Sequence, residues 1–203
     1  MKSTTNSTGV AAALAAAFVG LTACASSPPT QFYSLEPVAP QGPAPQSDVT
    51  TSQTAPLRIA AVHIPPALDR REIVRLGADN RLDISGLQRW GAPFDEMVQH
   101  VLTQNLVERL AANEVVLPLG PAPADTQSVV IDLLQFQSNA SGNVVLQGSW
   151  SLLLPGQSAP ALIRDFRYED SAGAQSFADE AAAMSRLLAR LADDIAAEAR
   201  ARH

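Results

Sequence analysis

The chain contains one cysteine, Cys24, and it closes an apolar run near the N-terminus. A single thiol cannot form an internal disulfide, so whatever this chain folds into must be held by its own hydrophobic core. The residues ahead of Cys24 do not contribute to that core. One cation, Lys2, precedes an Ala- and Val-rich stretch from Gly9 to Leu21, and small or apolar residues, Leu21, Thr22 and Ala23, lead into the cysteine. The stretch is shorter than the roughly 20 apolar residues that span a bilayer, and the Pro-rich polar segment behind it gives no stop-transfer pattern. Residues 1–23 are read as a signal peptide cleaved between Ala23 and Cys24.

The same segment resembles the signals of bacterial lipoproteins, in which cleavage falls just before such a cysteine. The resemblance implies a diacylglycerol thioether and an N-acyl chain on Cys24, with no other cofactor. Ala25 stands where Asp commonly retains lipoproteins in the inner membrane, which implies an outer-membrane anchor with the protein facing the periplasm. The competing reading is an ordinary secretory signal that leaves Cys24 as a free thiol. In an oxidising compartment that thiol is a reactive liability, which lipidation removes.

The whole chain carries a formal charge of −6, and loss of Lys2 with the signal takes the mature chain to −7. A surface of that sign has no electrostatic reason to bind nucleic acid or anionic headgroups. Membrane attachment then falls to the lipid, whose buried methylenes contribute about 0.8 kcal/mol each. Residues 24–30 form a short polar tether. Gln31 to Leu35, with Phe32, Tyr33 and Leu35, reads as a strand. Pro37, Pro40, Pro43, Pro45 and Pro56 then punctuate a stretch over 36–56 whose composition does not pack. It is either a loop inside the domain or more of the tether.

Short apolar runs at Leu57 to Ile64, Glu72 to Leu76 and Arg81 to Ser85 predict three strands, the first stopped by Pro65 and Pro66. Pro93 in a first turn, with Asp95 and Glu96 at the positive end of the dipole, predicts a helix running to about Asn113. Val98, Val101, Leu102, Leu106 and Leu110 form its buried stripe. Val115 to Leu117 reads as a short strand. Gln127 to Gln137 reads as a central one, because both of its faces, Val129, Ile131, Leu133 and Val130, Leu134, Phe136, are largely apolar. A turn at Asn139 to Asn143 leads into an alternating strand whose core face is Val144, Leu146, Gly148, Trp150 and Leu152. A last strand spans Leu162 to about Asp170. Ser176, with Asp179 three residues on, caps a terminal helix whose stripe is Phe177, Ala181, Met184, Leu188, Leu191 and Ile195, with Arg200 and Arg202 at its negative end. The expected fold is α+β, a mainly antiparallel sheet with two helices packed on one face, over residues 31–203.

The chemistry in the sequence is sparse. His63, His100 and His203 have no second ligand at metal-binding spacing, so no metal site is predicted. There is neither a nucleophile elbow nor a phosphate-binding glycine loop. Asp193 with Asp194, or Asp69 with Glu72, could be imagined as paired acids, but carboxylates so placed are usually surface charge. The chain is not expected to be an enzyme.

Val62, Pro65, Leu68, Asp69, Arg70, Glu72, Ile73, Val74 and Arg75, followed by Arg89, Trp90, Pro93, Asp95, Glu96, Leu102, Asn105, Leu106 and Leu110, resemble the ABC-type transport auxiliary lipoproteins, the PqiC-like group. Cys24, Pro28, Pro29, Phe32, Tyr33 and Leu35 fit the lipidated opening of that family. The resemblance implies an accessory of an intermembrane lipid transport system. It would bind an MCE-domain protein at the outer membrane, work with inner-membrane transport components, and assemble as a ring-shaped homo-oligomer. It also places the aromatic strand inside the domain and makes 36–56 a long loop. Asp69, Arg70, Arg71 and Trp90 are the candidate interface residues. Trp90 has a simpler reading as a plug between sheet and helix, and Phe32 and Tyr33 read as core. A structural or assembly lipoprotein of the envelope without a transport role is the alternative function, and a lipid-anchored hydrolase is a third.

Overall fold

The structure is a computed structural model that describes residues 27–40, 55–111, 114–172 and 176–202. The signal segment, Ala23, Cys24 and most of the Pro-rich stretch lie outside the described residues. In chain order the elements are β1 (Gln31–Tyr33), β2 (Leu57–His63), β3 (Glu72–Leu76), β4 (Leu82–Trp90), α1 (Phe94–Val107), β5 (Gln127–Ser138), β6 (Asn143–Leu153), β7 (Leu162–Ser171) and α2 (Phe177–Ala201), with one 3-10 turn at Ala78–Asn80.

The fold is α+β, but its strands form two sheets rather than one, and both sheets are mixed. A four-stranded sheet runs β2-β5-β6-β7 and a three-stranded one β1-β4-β3. β2 pairs parallel to β5, and β1 parallel to β4. A parallel pair needs a long crossover. Here β3, β4 and α1 lie between β2 and β5, so the helix is delivered to the face of the larger sheet as part of that connection. The two helices pack on each other and on that face. Val98, Val101, Leu102 and Leu106 of α1 and Met184, Leu188, Leu191 and Ile195 of α2 are buried against Val129, Ile131, Leu146 and Trp150 of the sheet.

Several local expectations are corrected. β5 has one buried face, not two: Val129, Ile131 and Leu133 point inward while Leu134 is 71% exposed. The pairing with β6 shifts between Leu133 and Gln135, and this bulge turns Phe136 back onto the same buried side. α1 ends at Val107, and Pro93 is its N-cap; Leu110 stays buried because Arg109 and Leu110 both donate to the carbonyl of Leu106 in a closing turn. The third run extends to Trp90. Val115 makes only an isolated parallel bridge with Leu57. Ser176 caps α2 as expected, its Oγ accepting the Asp179 N–H at 3.1 Å.

Two glycines have steric reasons. Gly142 closes the β5–β6 hairpin at φ 78°. At Gly148 a Cβ would stand 2.2 Å from the Asp132 carbonyl, so β6 accepts no side chain where it crosses β5.

Candidate functional site

The 36–56 stretch does pack at its beginning. Beyond β1 the chain runs extended between α1 and α2, with Leu35 only 3% exposed. Four polar backbone groups on this strap find side chains on the two helices or on the turn that closes α1. The Leu35 N–H points at Met97 Sδ at 3.3 Å, Glu36 donates to Ser185 Oγ at 3.0 Å, and Val38 donates to Asn105 Oδ1 at 2.9 Å. The Val38 carbonyl accepts from Arg109 Nη1 at 3.2 Å. Arg109 is 3% exposed, and its Nε donates to Asp193 at 2.6 Å. Proline-rich composition argues against packing on its own surface, but these buried helix groups supply the missing partners.

This clamp is not apparent in the sequence, although Asn105 and Ser185 interrupt largely apolar helix faces and that break in the pattern is its one signal. Asp193 and Asp194 are more than the surface charge their sequence setting suggests. Asp193 holds Arg109, and Asp194 accepts from the Tyr168 hydroxyl. Burial, reinforced by that carboxylate, raises the Tyr168 phenol above its ordinary value of 10.0.

The candidate interface residues separate into two environments. Trp90 is core, 4% exposed, its ring stacked on Phe94 at 5.1 Å, with Phe136 at 5.6 Å beyond. Asp69, Arg70 and Arg71 are exposed on the loop after β2, whose shape is set by the burial of Leu68 and by the bond from Leu68 N–H to the Pro65 carbonyl. The backbone joins the two sets, since Trp90 N–H donates to the Arg71 carbonyl at 2.7 Å. Glu72 sits between Arg70 at 3.8 Å and Arg89 at 3.5 Å. Arg70 is thus satisfied within the chain, while the Arg71 side chain projects without an ion-pair partner among the described residues. Phe32 is 62% exposed, against the expectation of core, and Tyr33 packs partly buried on Phe177.

A groove of about 1090 Å³ opens beside the strap, between the first half of α1 and residues 117–120. Leu35, Ala92, Met97 and Val101 line it together with Leu117 and the fully exposed Leu119. Glu96, Gln99 and His100 rim it. His63 bonds Asp132 at 2.7 Å across β2 and β5 in the open, and no serine hydroxyl bonds that imidazole among the described residues. No group of three or more metal-ligating side chains occurs among the described residues, and no helix there is long and apolar enough to cross a membrane.

The model of the family described as ABC-type transport auxiliary lipoprotein component matches residues 33–196. No curated protein matches the chain. Among solved structures, a crystal structure of an uncharacterized protein superposes with TM-score 0.69 at 20% identity, covering 84% of this chain and 99% of that one. A Xanthomonas campestris protein of family DUF330 superposes with TM-score 0.64 at 16% identity, covering 85% of this chain and all of the other. Both likenesses concern the fold.

Proposed function

The chain belongs to the ABC-type transport auxiliary lipoprotein components, and from that premise we propose that it is the lipid-anchored accessory of an intermembrane lipid transport system. Its anchor is the acylated Cys24 in the outer membrane. It binds an MCE-domain partner in the periplasm and assembles as a closed homo-oligomer, and it is a binding platform rather than an enzyme.

The observation that carries this reading is the strap. Six residues lie between Cys24 and Gln31, and the seven steps reach at most about 25 Å when fully extended. Within a few residues more, the chain is locked between the two helices by Ser185, Asn105 and Arg109. A lipid on Cys24 therefore holds the domain close to the membrane through a tether that the core itself grips. Such an arrangement suits a component that presents a surface at a fixed distance from the bilayer.

Affinity capture from envelope membranes with the acylated protein tests it. The expected co-purifying species are an MCE-domain protein and inner-membrane transport components, with reduced capture by Arg71→Glu at unchanged melting temperature. Capture of neither species would leave the structural lipoprotein as the better reading.

A further inference from the structure

We propose that two copies of this chain pair antiparallel along the free edge of β7, about a two-fold axis at Phe166 that sets Asp165 of each copy opposite Arg167 of the other. β7 is the outer strand of the four-stranded sheet, and its ten-residue pairing with β6 runs without a bulge. Ala172 N–H donates to the Gly142 carbonyl, so even-numbered positions bond inward and odd-numbered ones face out. The carbonyls of Glu169 and Ser171 confirm this by accepting from Arg190 and Arg186 of α2 at 3.3 and 3.4 Å.

The helix covers those two carbonyls and no others on this edge among the described residues. Towards the start of β7 the residues of α2 beside a space of about 390 Å³ are Asp194, Ala197, Glu198 and Ala201, and Glu198 pairs with the Arg164 side chain at 3.7 Å rather than with an outward backbone group. The outward backbone groups of Ile163, Asp165 and Arg167 are left for another strand. No proline interrupts the edge, and Ile163 is 59% exposed. An edge of this kind pairs readily with a further strand.

Charge selects the occupant and the register. Asp165 has no ion-pair partner among the described residues, and Arg167 bonds only the Gln147 amide oxygen, at 2.5 Å. An axis at Asp165 would set that carboxylate against its own copy. An axis at Arg164 would do the same to a guanidinium. The axis at Phe166 instead makes two reciprocal Asp165–Arg167 pairs on the outer face; Ile163 falls opposite Glu169, whose carbonyl already accepts from Arg190, so the shared ladder centres on the backbone groups of Asp165 and Arg167. Self-complementarity of this sort is what an isologous contact requires. A two-fold contact does not itself close a ring, so it goes beyond the transport reading and stands or falls separately from it.

Sedimentation equilibrium of the mature protein in density-matched detergent at low salt tests the pairing. Wild type should show reversible dimerisation through this contact. Asp165→Arg and Arg167→Asp should each weaken it by about tenfold or more, and the double reversal should restore it to within about threefold, all at unchanged melting temperature because these side chains are exposed. Three results would each overturn the proposal: a strict monomer at several hundred micromolar, an oligomer indifferent to the single reversals, or a double reversal that fails to restore association. The second of these would still leave a ring built on another surface intact.

Discussion

Asn105 accepts the backbone N–H of Val38 at 2.9 Å, and with that bond a fully buried helix residue grips the stretch of chain that leads back to Cys24. Arg109, one turn further along, holds the Val38 carbonyl and reaches Asp193 on the second helix. Strap and helix pair are therefore one polar unit inside an otherwise apolar seam, and its energetics are open to test.

Removing either end of the Arg109–Asp193 pair should not cost the same. Asp193→Ala leaves a buried guanidinium without its counter-charge and should destabilise by about 2–3 kcal/mol. Arg109→Met replaces the buried stem with an apolar one and leaves Asp193, which is half exposed, to water; about 1–2 kcal/mol is expected. Urea unfolding of both variants checks the order. Equal losses would mean that the carboxylate does not compensate the guanidinium.

Leu106 is fully buried between helix and sheet, whereas Gln104 on the same helix is only partly covered. Leu106→Asp should abolish cooperative folding, because an unpaired carboxylate there has neither water nor a cation. Gln104→Asp should change stability by no more than about 0.5 kcal/mol. Thermal melts distinguish the two, and equal midpoints would overturn the assigned buried face.

Tyr168 makes stability pH-dependent on the alkaline side. Its phenol is raised in the folded state by burial and by Asp194, so the unfolded chain loses its proton first as the pH passes about 10. The stabilisation is complete below that pH and declines above it. Tyr168→Phe should flatten the decline between about pH 10 and 12 in denaturant titrations. An unchanged slope would mean that the Asp194 contact does not persist in solution.

Cys24→Ala should release the protein from the outer-membrane fraction or leave it unprocessed, since the lipid is the anchor in the proposed reading. Fractionation with N-terminal mass measurement decides it. A processed Cys24→Ala protein that still sediments with outer membrane would overturn lipidation as the means of attachment.

Periodicity made the elements legible. The stripe on α1, the capping serine of α2 and the alternation along β6 are local patterns, each dictated by 3.6- or 2-residue repeats against a single apolar face. The family likeness was legible by another route, from particular residues lying mainly in the first half of the chain. Local pattern does not show that Arg71 reaches solvent while Trp90 belongs to the core, because a tryptophan beside a charged loop looks alike in both settings.

What the sequence by itself determined, then, is which segments are helix or strand and which face of most of them turns inward, because those depend on neighbours a few residues away. Tertiary structure alone decided the rest. The parallel pairing of β1 with β4 and of β2 with β5 joins segments dozens of residues apart, and no local pattern encodes the partner. The bulge that returns Phe136 to the core is a matter of register against β6. The docking of a proline-rich strap arises only where Asn105, Arg109 and Ser185 converge from two helices, since a backbone that cannot satisfy itself packs only where another part of the fold brings it donors and acceptors.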